Sequence, residues 1–159
     1  MIFPAPRLST SMKASTTFVS LAPLALVTVA LISPENGWML GLGGLAILPV
    51  FVWAVRQSPL AYEVHHGHLI VHARLGATHT LRLDGTVEFP ATPPHMRLFG
   101  SSGFFGHTGW FLDPEGRVVR AFMSRAHDTV VVGTDRGPVF LSPADPEAFI
   151  RAVQAGVVR

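Results

Sequence analysis

Four histidines, His65, His66, His68 and His72, fall within eight residues of the chain. Imidazoles at that density suggest a metal site. On a strand His68 and His72 share a face with Ile70 between them, so two rings could point together. No carboxylate motif accompanies them, however, and a hairpin tip is where solvated polar residues sit, so no metal and no cofactor is expected. Below about pH 6.5 their partial protonation would make the hairpin cationic and attractive to anionic lipid. His65, His66 and His68 are therefore a candidate membrane-facing hairpin.

The glycines Gly100, Gly103, Gly106 and Gly109 recur every third residue, with Phe99, Phe104, Phe105 and Trp110 among them. Backbone amides in such a stretch could cradle an anion. No Gly-Lys-Ser/Thr follows, and the pattern does not lead into a helix as a dinucleotide fingerprint does. The favoured reading is structural: glycine supplies positive φ and close approach where strands bend, while the aromatics pack or dock. Phe99, Gly100, Gly103, Phe104, Phe105, Gly106 and Trp110 form the candidate partner-docking loop.

Ser124, His127 and Asp128 have the residue types of a hydrolase triad. Their closeness in sequence and the absence of G-x-S-x-G argue against one. Asp113 and Glu115 lie in a predicted turn, where acids are normally solvated. No catalytic constellation emerges, and no enzyme is expected.

The elements that must carry these residues divide the chain in two. Of 159 residues, 14% are charged and none is cysteine, against about 25% charged in an ordinary soluble domain. Disulfides and cysteine-ligated metals are excluded. From Ala14 to Pro34 the chain runs 21 residues without a charge or histidine, and from Asn36 to Val55 it does so for 20. About 20 mostly apolar residues cross a bilayer core, so the two blocks, joined by Ser33 to Gly37, predict a transmembrane helical hairpin. A cleaved signal peptide after Met12-Lys13 and a pair of buried core helices are the weaker alternatives. Either Met1 or Met12 could be the start.

Arg7, Lys13 and Arg56 flank the blocks, and the connecting turn holds Glu35 and no base. The positive-inside rule then predicts a multi-pass protein of the cytoplasmic membrane with both termini cytoplasmic. Residues 57–159 hold nine bases and nine acids, so the whole net charge of +2 lies beside the predicted anchor. That distribution excludes a nucleic-acid surface.

Beyond Gln57-Ser58-Pro59 short alternating segments separated by turn residues predict about seven antiparallel strands. The segments that read as strand, eight when those on either side of Asp84-Gly85 are counted separately, are Tyr62–Val64, Leu69–Ala73, Thr78–Leu83, Thr86–Phe89, His107–Leu112, Arg117–Met123, Thr129–Thr134 and Pro138–Leu141. Gly67, Asp84-Gly85, Asp113 to Gly116 and Asp135 to Gly137 read as turns. Pro90, Pro93 and Pro94 read as a loop. At the end, Asp145 is a helix N-cap, Pro146 the first helical residue and Glu147 a first-turn anion. Phe149, Ile150 and Val153 recur at helical spacing, and Gly156 is a plausible stop.

The stretch Arg97 to Phe111, with its R-x-F-G-x-x-G-x-x-G pattern, then Gly116-Arg117-Val118, Thr129 to Val132 and Ser142 to Ile150 with its S-P-x-D-P-x-x-F pattern, resembles bacterial pleckstrin-homology-like domains. The resemblance covers about Tyr62 to Val153. It implies a bent seven-stranded sheet or barrel capped by a C-terminal helix, with no catalytic residues to carry over. Phosphoinositide-binding members use Lys and Arg near the first hairpin, where this chain has His65, His66 and His68.

The expected organisation is a cytoplasmic segment 1–13, a transmembrane hairpin 14–56, a linker 57–61 and a mainly-β PH-like domain 62–159. The expected role is a membrane-anchored interaction or scaffold module, integral to the bilayer, that binds a protein partner or itself. The alternative is a lipid- or ligand-sensing module.

Overall fold

The computed structural model describes residues 1–6, 13, 17, 21, 25–29, 32, 37–102 and 106–157. Nine strands form one sheet: β1 (Ile2–Pro4), β2 (Pro59–His65), β3 (His68–Ala73), β4 (Thr78–Glu88), β5 (Met96–Ser102), β6 (His107–Leu112), β7 (Val118–Met123), β8 (Val130–Thr134) and β9 (Gly137–Leu141). Their order is β1-β2-β3-β4-β8-β9-β7-β6-β5. Two longer helices flank the sheet, α1 (Gly37–Gln57) and α2 (Pro146–Val157), and a 3-10 turn over Arg74–Gly76 follows β3.

Local chemistry sets the hairpins. His66 and Gly67 both adopt positive φ, 45° and 73°, between the paired residues His65 and His68. That is the two-residue loop whose twist suits a β-hairpin. The Asp113 carbonyl accepts from Gly116 N–H at 3.0 Å and closes the β6–β7 turn. Asp145 Oδ1 accepts from Ala148 N–H at 3.0 Å, which satisfies one of the orphan donors at the start of α2.

Alternation along the strands builds the core. Tyr62 and Val64, Leu69 and Val71, and Leu81 and Leu83 face inward from β2, β3 and β4, against Phe122, Val130, Val132, Val139 and Leu141 from the other half of the sheet. Helix α2 inserts Phe149 and Val153 into the same cluster. The Phe149 ring meets Phe3 edge-on at 5.3 Å and lies 6.1 Å from Tyr62. The buried Tyr62 hydroxyl donates to the Phe122 carbonyl at 2.7 Å, and burial pushes its pKa up to about 12. A second cluster on the opposite face packs Phe111, Val119, Ala121, Met123 and Phe140 against Ala91.

Several expectations need correction. Among the described residues no helix is long and apolar enough to cross a membrane. This overturns the transmembrane hairpin over 14–56 and the multi-pass placement in the cytoplasmic membrane with both termini cytoplasmic. The premise for the bilayer as an integral partner goes with it. Within α1, Gly37, Gly41, Gly43 and Gly44 contribute no apolar side chain, Pro49 interrupts the hydrogen-bond ladder, and the helix ends in Arg56 and Gln57. Most of the first block lies outside the described residues.

Among the described residues the strand count is nine rather than seven, and not every pairing is antiparallel. Asp84-Gly85 reverses nothing: the chain continues as one long β4, with an irregular register between Leu83 and Val87. Asp84 Oδ1 accepts from Thr86 N–H and Oγ1–H at 2.8 and 2.6 Å, which satisfies the local backbone in a bulge. Near the amino terminus Phe3 pairs with Tyr62. Strands β7 and β9 pair in parallel, with Arg120 opposite Val139. Between α1 and β2 lies only the buried Ser58.

Candidate docking site

The glycine series is built into the β5–β6 pair. Gly100 stands opposite Gly109, both at φ 127°. A Cβ on Gly100 would overlap the Thr108 carbonyl oxygen, and one on Gly109 would overlap that of Phe99. Gly106, at φ 114°, would drive a Cβ into the Met123 carbonyl. These three glycines let two backbones approach where no other residue fits. Gly103, Phe104 and Phe105 of the expected docking loop lie outside the described residues.

That close approach puts the neighbouring aromatics on display. Phe99 is 65% exposed and Trp110 41%, and the two are register partners across β5 and β6. Met96, Arg97, Leu98 and Phe99 are four consecutive exposed residues. Successive strand side chains point to opposite faces, so both faces of this part of β5 are open. The register slips between Arg97 and Phe99, which bends the strand at Leu98.

Helix α1 forms the facing wall. The Trp53 ring lies 5.5 Å from Phe99, and Pro49, Val50 and Trp53 face Arg97, Leu98, Phe99 and Gly100 across a groove of about 610 Å³. At the other end of the helix contact, Gln57 Oε1 lies 3.1 Å from His79 Nε2. Beyond Trp110 the Arg120 guanidinium sits over two rings, 5.2 Å from Trp110 and 5.0 Å from Phe122. Burial first, and then the charge of Arg136, lowers the Arg120 pKa. Burial and then Arg120 hold His79 below the ordinary imidazole value. Among the described residues neither Arg97 nor Arg120 has a carboxylate partner.

The sequence offers no acid from Phe89 to Leu112, nor in α1, nor in β7. The elements around the groove therefore carry Arg56, Arg97 and Arg120 and no carboxylate. Glycine spacing in the sequence points to Phe99, Gly100 and Trp110 but not to Trp53, Arg97 or Arg120, and histidine spacing points to a different part of the chain. The 24-residue interval without an acid between Glu88 and Asp113 was the available signal.

The histidine hairpin lies on a different part of the molecule. The His65 and His66 rings meet at 4.1 Å, and His68 Nδ1 lies 3.0 Å from the His66 carbonyl oxygen. His72 pairs across the β2–β3 ladder with Glu63 at 2.9 Å, a hydrogen bond that lowers the Glu63 pKa. His65 and His66 border a cavity of about 330 Å³ with Met1, Val64, Ala152, Ala155 and Gly156. Among the described residues no three His, Asp or Glu side chains are grouped to hold a metal ion.

Ser124, His127 and Asp128 do not converge. Ser124 is buried beside Ser142, whose Oγ accepts its N–H at 2.9 Å, and Asp128 pairs with Arg125 at 3.1 Å. Asp113 is not a solvated turn acid, being only 1% exposed. Its Oδ1 accepts from Glu115 and Arg117 N–H at 3.0 and 2.8 Å, and its Oδ2 from Arg117 Nε–H at 2.7 Å. Burial alone would raise its pKa, but the Arg117 contacts outweigh burial and hold the carboxyl below its ordinary value.

Residues 87–156, less than half of the chain, match the model of a family described as Bacterial PH domain. The matched segment includes β5 to β9 and nearly all of α2, and it excludes α1 and the histidine hairpin. No curated protein and no solved structure matches the chain. A PH-like domain is in general a non-catalytic module for protein or lipid interaction.

Proposed function

We propose that this protein is an interaction module whose docking site for a protein partner is the groove between α1 and β5, centred on Phe99. The observation that carries this reading is the Trp53–Phe99–Trp110 row. Large aromatics exposed side by side in a concave site are the usual anchors of protein interfaces. Phe99, Gly100, Gly106 and Trp110 take the roles of anchor and backbone support. Gly103, Phe104 and Phe105 extend the same loop in sequence.

Affinity capture with the full chain, compared with Phe99→Ala and Trp110→Ala, tests it. Both side chains are exposed, so both variants should fold, which circular dichroism can check. Partners of the parent chain should be lost from both variants. An unchanged partner set would remove the groove from consideration. Retention on anionic vesicles that depends on His65 and His66 would favour the lipid-sensing alternative.

A further inference from the structure

We infer that the outer edge of β5 receives an extended, acidic segment of a partner protein as an added β-strand. This deepens the docking reading above and rests on it. Strand β5 ends the nine-stranded sheet, and among the described residues it pairs only with β6. An edge strand presents a row of backbone N–H and C=O groups with no ladder partner. Natural edges are usually blunted by proline, lysine, a bulge or a covering element, and of these β5 has the register slip between Arg97 and Phe99, on either side of which its edge runs on. From Met96 to Gly100 there is no proline or lysine, and α1 stands back far enough to leave the groove of about 610 Å³. A groove lined by Arg97 to Gly100 of this edge strand on one side and by Pro49, Val50 and Trp53 on the other suits a single extended chain. Its backbone would complete the ladder, and alternate side chains would meet the helix.

The charge of the segment follows from its surroundings. Arg97 lines the groove, Arg120 sits over Trp110 at its far side, and the elements that build it contain no carboxylate. Complementary charge sets partner choice and register at such interfaces, so the added strand carries Asp or Glu among apolar residues. A second copy of this chain is a poor occupant. Edge-to-edge pairing of two β5 strands would bring together two edges that each carry Arg97 and no acid, and like charges across a ladder are unfavourable.

The test is selection from a phage-displayed library of random 12-residue peptides on the full chain, followed by affinity measurement with synthetic copies. Selected peptides should alternate acidic and apolar residues and should lose binding to Phe99→Ala. N-methylation of alternate peptide amides should weaken binding by about tenfold or more, because it removes ladder donors. Arg97→Glu, an exposed substitution that leaves the fold intact, should weaken acidic peptides and strengthen their lysine-substituted counterparts.

Peptides that need Phe99 but tolerate N-methylation in both alternating sets would overturn strand addition and leave the docking groove standing. Peptides without an acidic bias would overturn the charge assignment. A selection that yields nothing dependent on Phe99 would sink both readings. Arg97-dependent binding to phosphatidylglycerol vesicles without peptide binding, or an Arg97-dependent dimer in solution, would overturn the proposal in favour of lipid or a second copy.

Discussion

Gly100 and Gly109 face one another across β5 and β6, each at φ 127° and each pressed against the backbone of the other strand. The pair lets the two strands close where a side chain on either would collide with a carbonyl. Phe99 and Trp110 flank it, so the alignment of the docking surface depends on two residues without side chains.

Gly100→Ala and Gly109→Ala should each destabilise the fold by about 2–4 kcal/mol, combining backbone strain with overlap of main-chain atoms. Gly116→Ala is the control. It too sits at positive φ, 79°, but a Cβ there meets nothing within 4 Å, so its cost should be about 1 kcal/mol. Urea unfolding followed by circular dichroism distinguishes the cases. Equal midpoints for Gly109→Ala and Gly116→Ala would show that close approach is unimportant.

Asp113 should make stability sensitive to acid. Its folded pKa is lowered from 3.8, so the stability it contributes is present above that unfolded value and is lost as pH falls through the lower folded value. Asp113→Asn should be less stable than the parent chain at pH 7, because the Arg117 ion pair is gone. The gap between them should narrow below about pH 4. Thermal melts from pH 7 to pH 2.5 provide the measurement, and a constant gap would exclude the assignment.

His79 and His107 are both held below the ordinary histidine value of 6.5, primarily by burial. A histidine with a lowered folded pKa is protonated more readily in the unfolded chain. Its contribution is complete above the unfolded pKa and declines as pH falls below it. The parent chain should therefore lose stability as pH falls below about 6.5, and His79→Gln should lose less over the same fall. Titration of the His79 ring signals by NMR should give a midpoint below 6.5. A midpoint above it would mean that neither burial nor Arg120 governs this ring.

Helix α2 should respond in two graded steps. Asp145→Ala removes the cap to Ala148 and should cost about 1 kcal/mol. Phe149→Ala empties a fully buried site beside Phe3 and Tyr62 and should cost about 3–5 kcal/mol. Denaturant midpoints that reverse this order would imply that α2 contributes little to the core.

Much of this protein was legible in a few neighbouring residues. The His66-Gly67 tip, the Asp113 to Gly116 turn, the β8–β9 hairpin and the Asp145 cap all depend on backbone preferences or hydrogen bonds spanning no more than a few positions. Alternation and turn residues likewise marked Tyr62–Val64 and Leu69–Ala73 as strands, although which of their side chains face inward came from the fold. The glycines were legible as places of close approach, although their partners were not.

What the tertiary structure decided involves residues far apart in the chain. Phe3 meets Tyr62, and the Tyr62 hydroxyl finds the Phe122 carbonyl 60 positions onward. No local periodicity encodes such pairings, or the parallel register of β7 against β9, and it is the partner β2 that makes a strand of Ile2–Pro4. Asp113 reads as a solvated turn residue until the fold covers it and supplies Arg117. The uncharged run Asn36 to Val55 reads as a membrane span when charges are counted, because absence of charge is visible residue by residue. Its role as one wall of a groove becomes visible only when Trp53 is brought beside Phe99, 46 positions away, since a surface between two elements belongs to neither sequence alone.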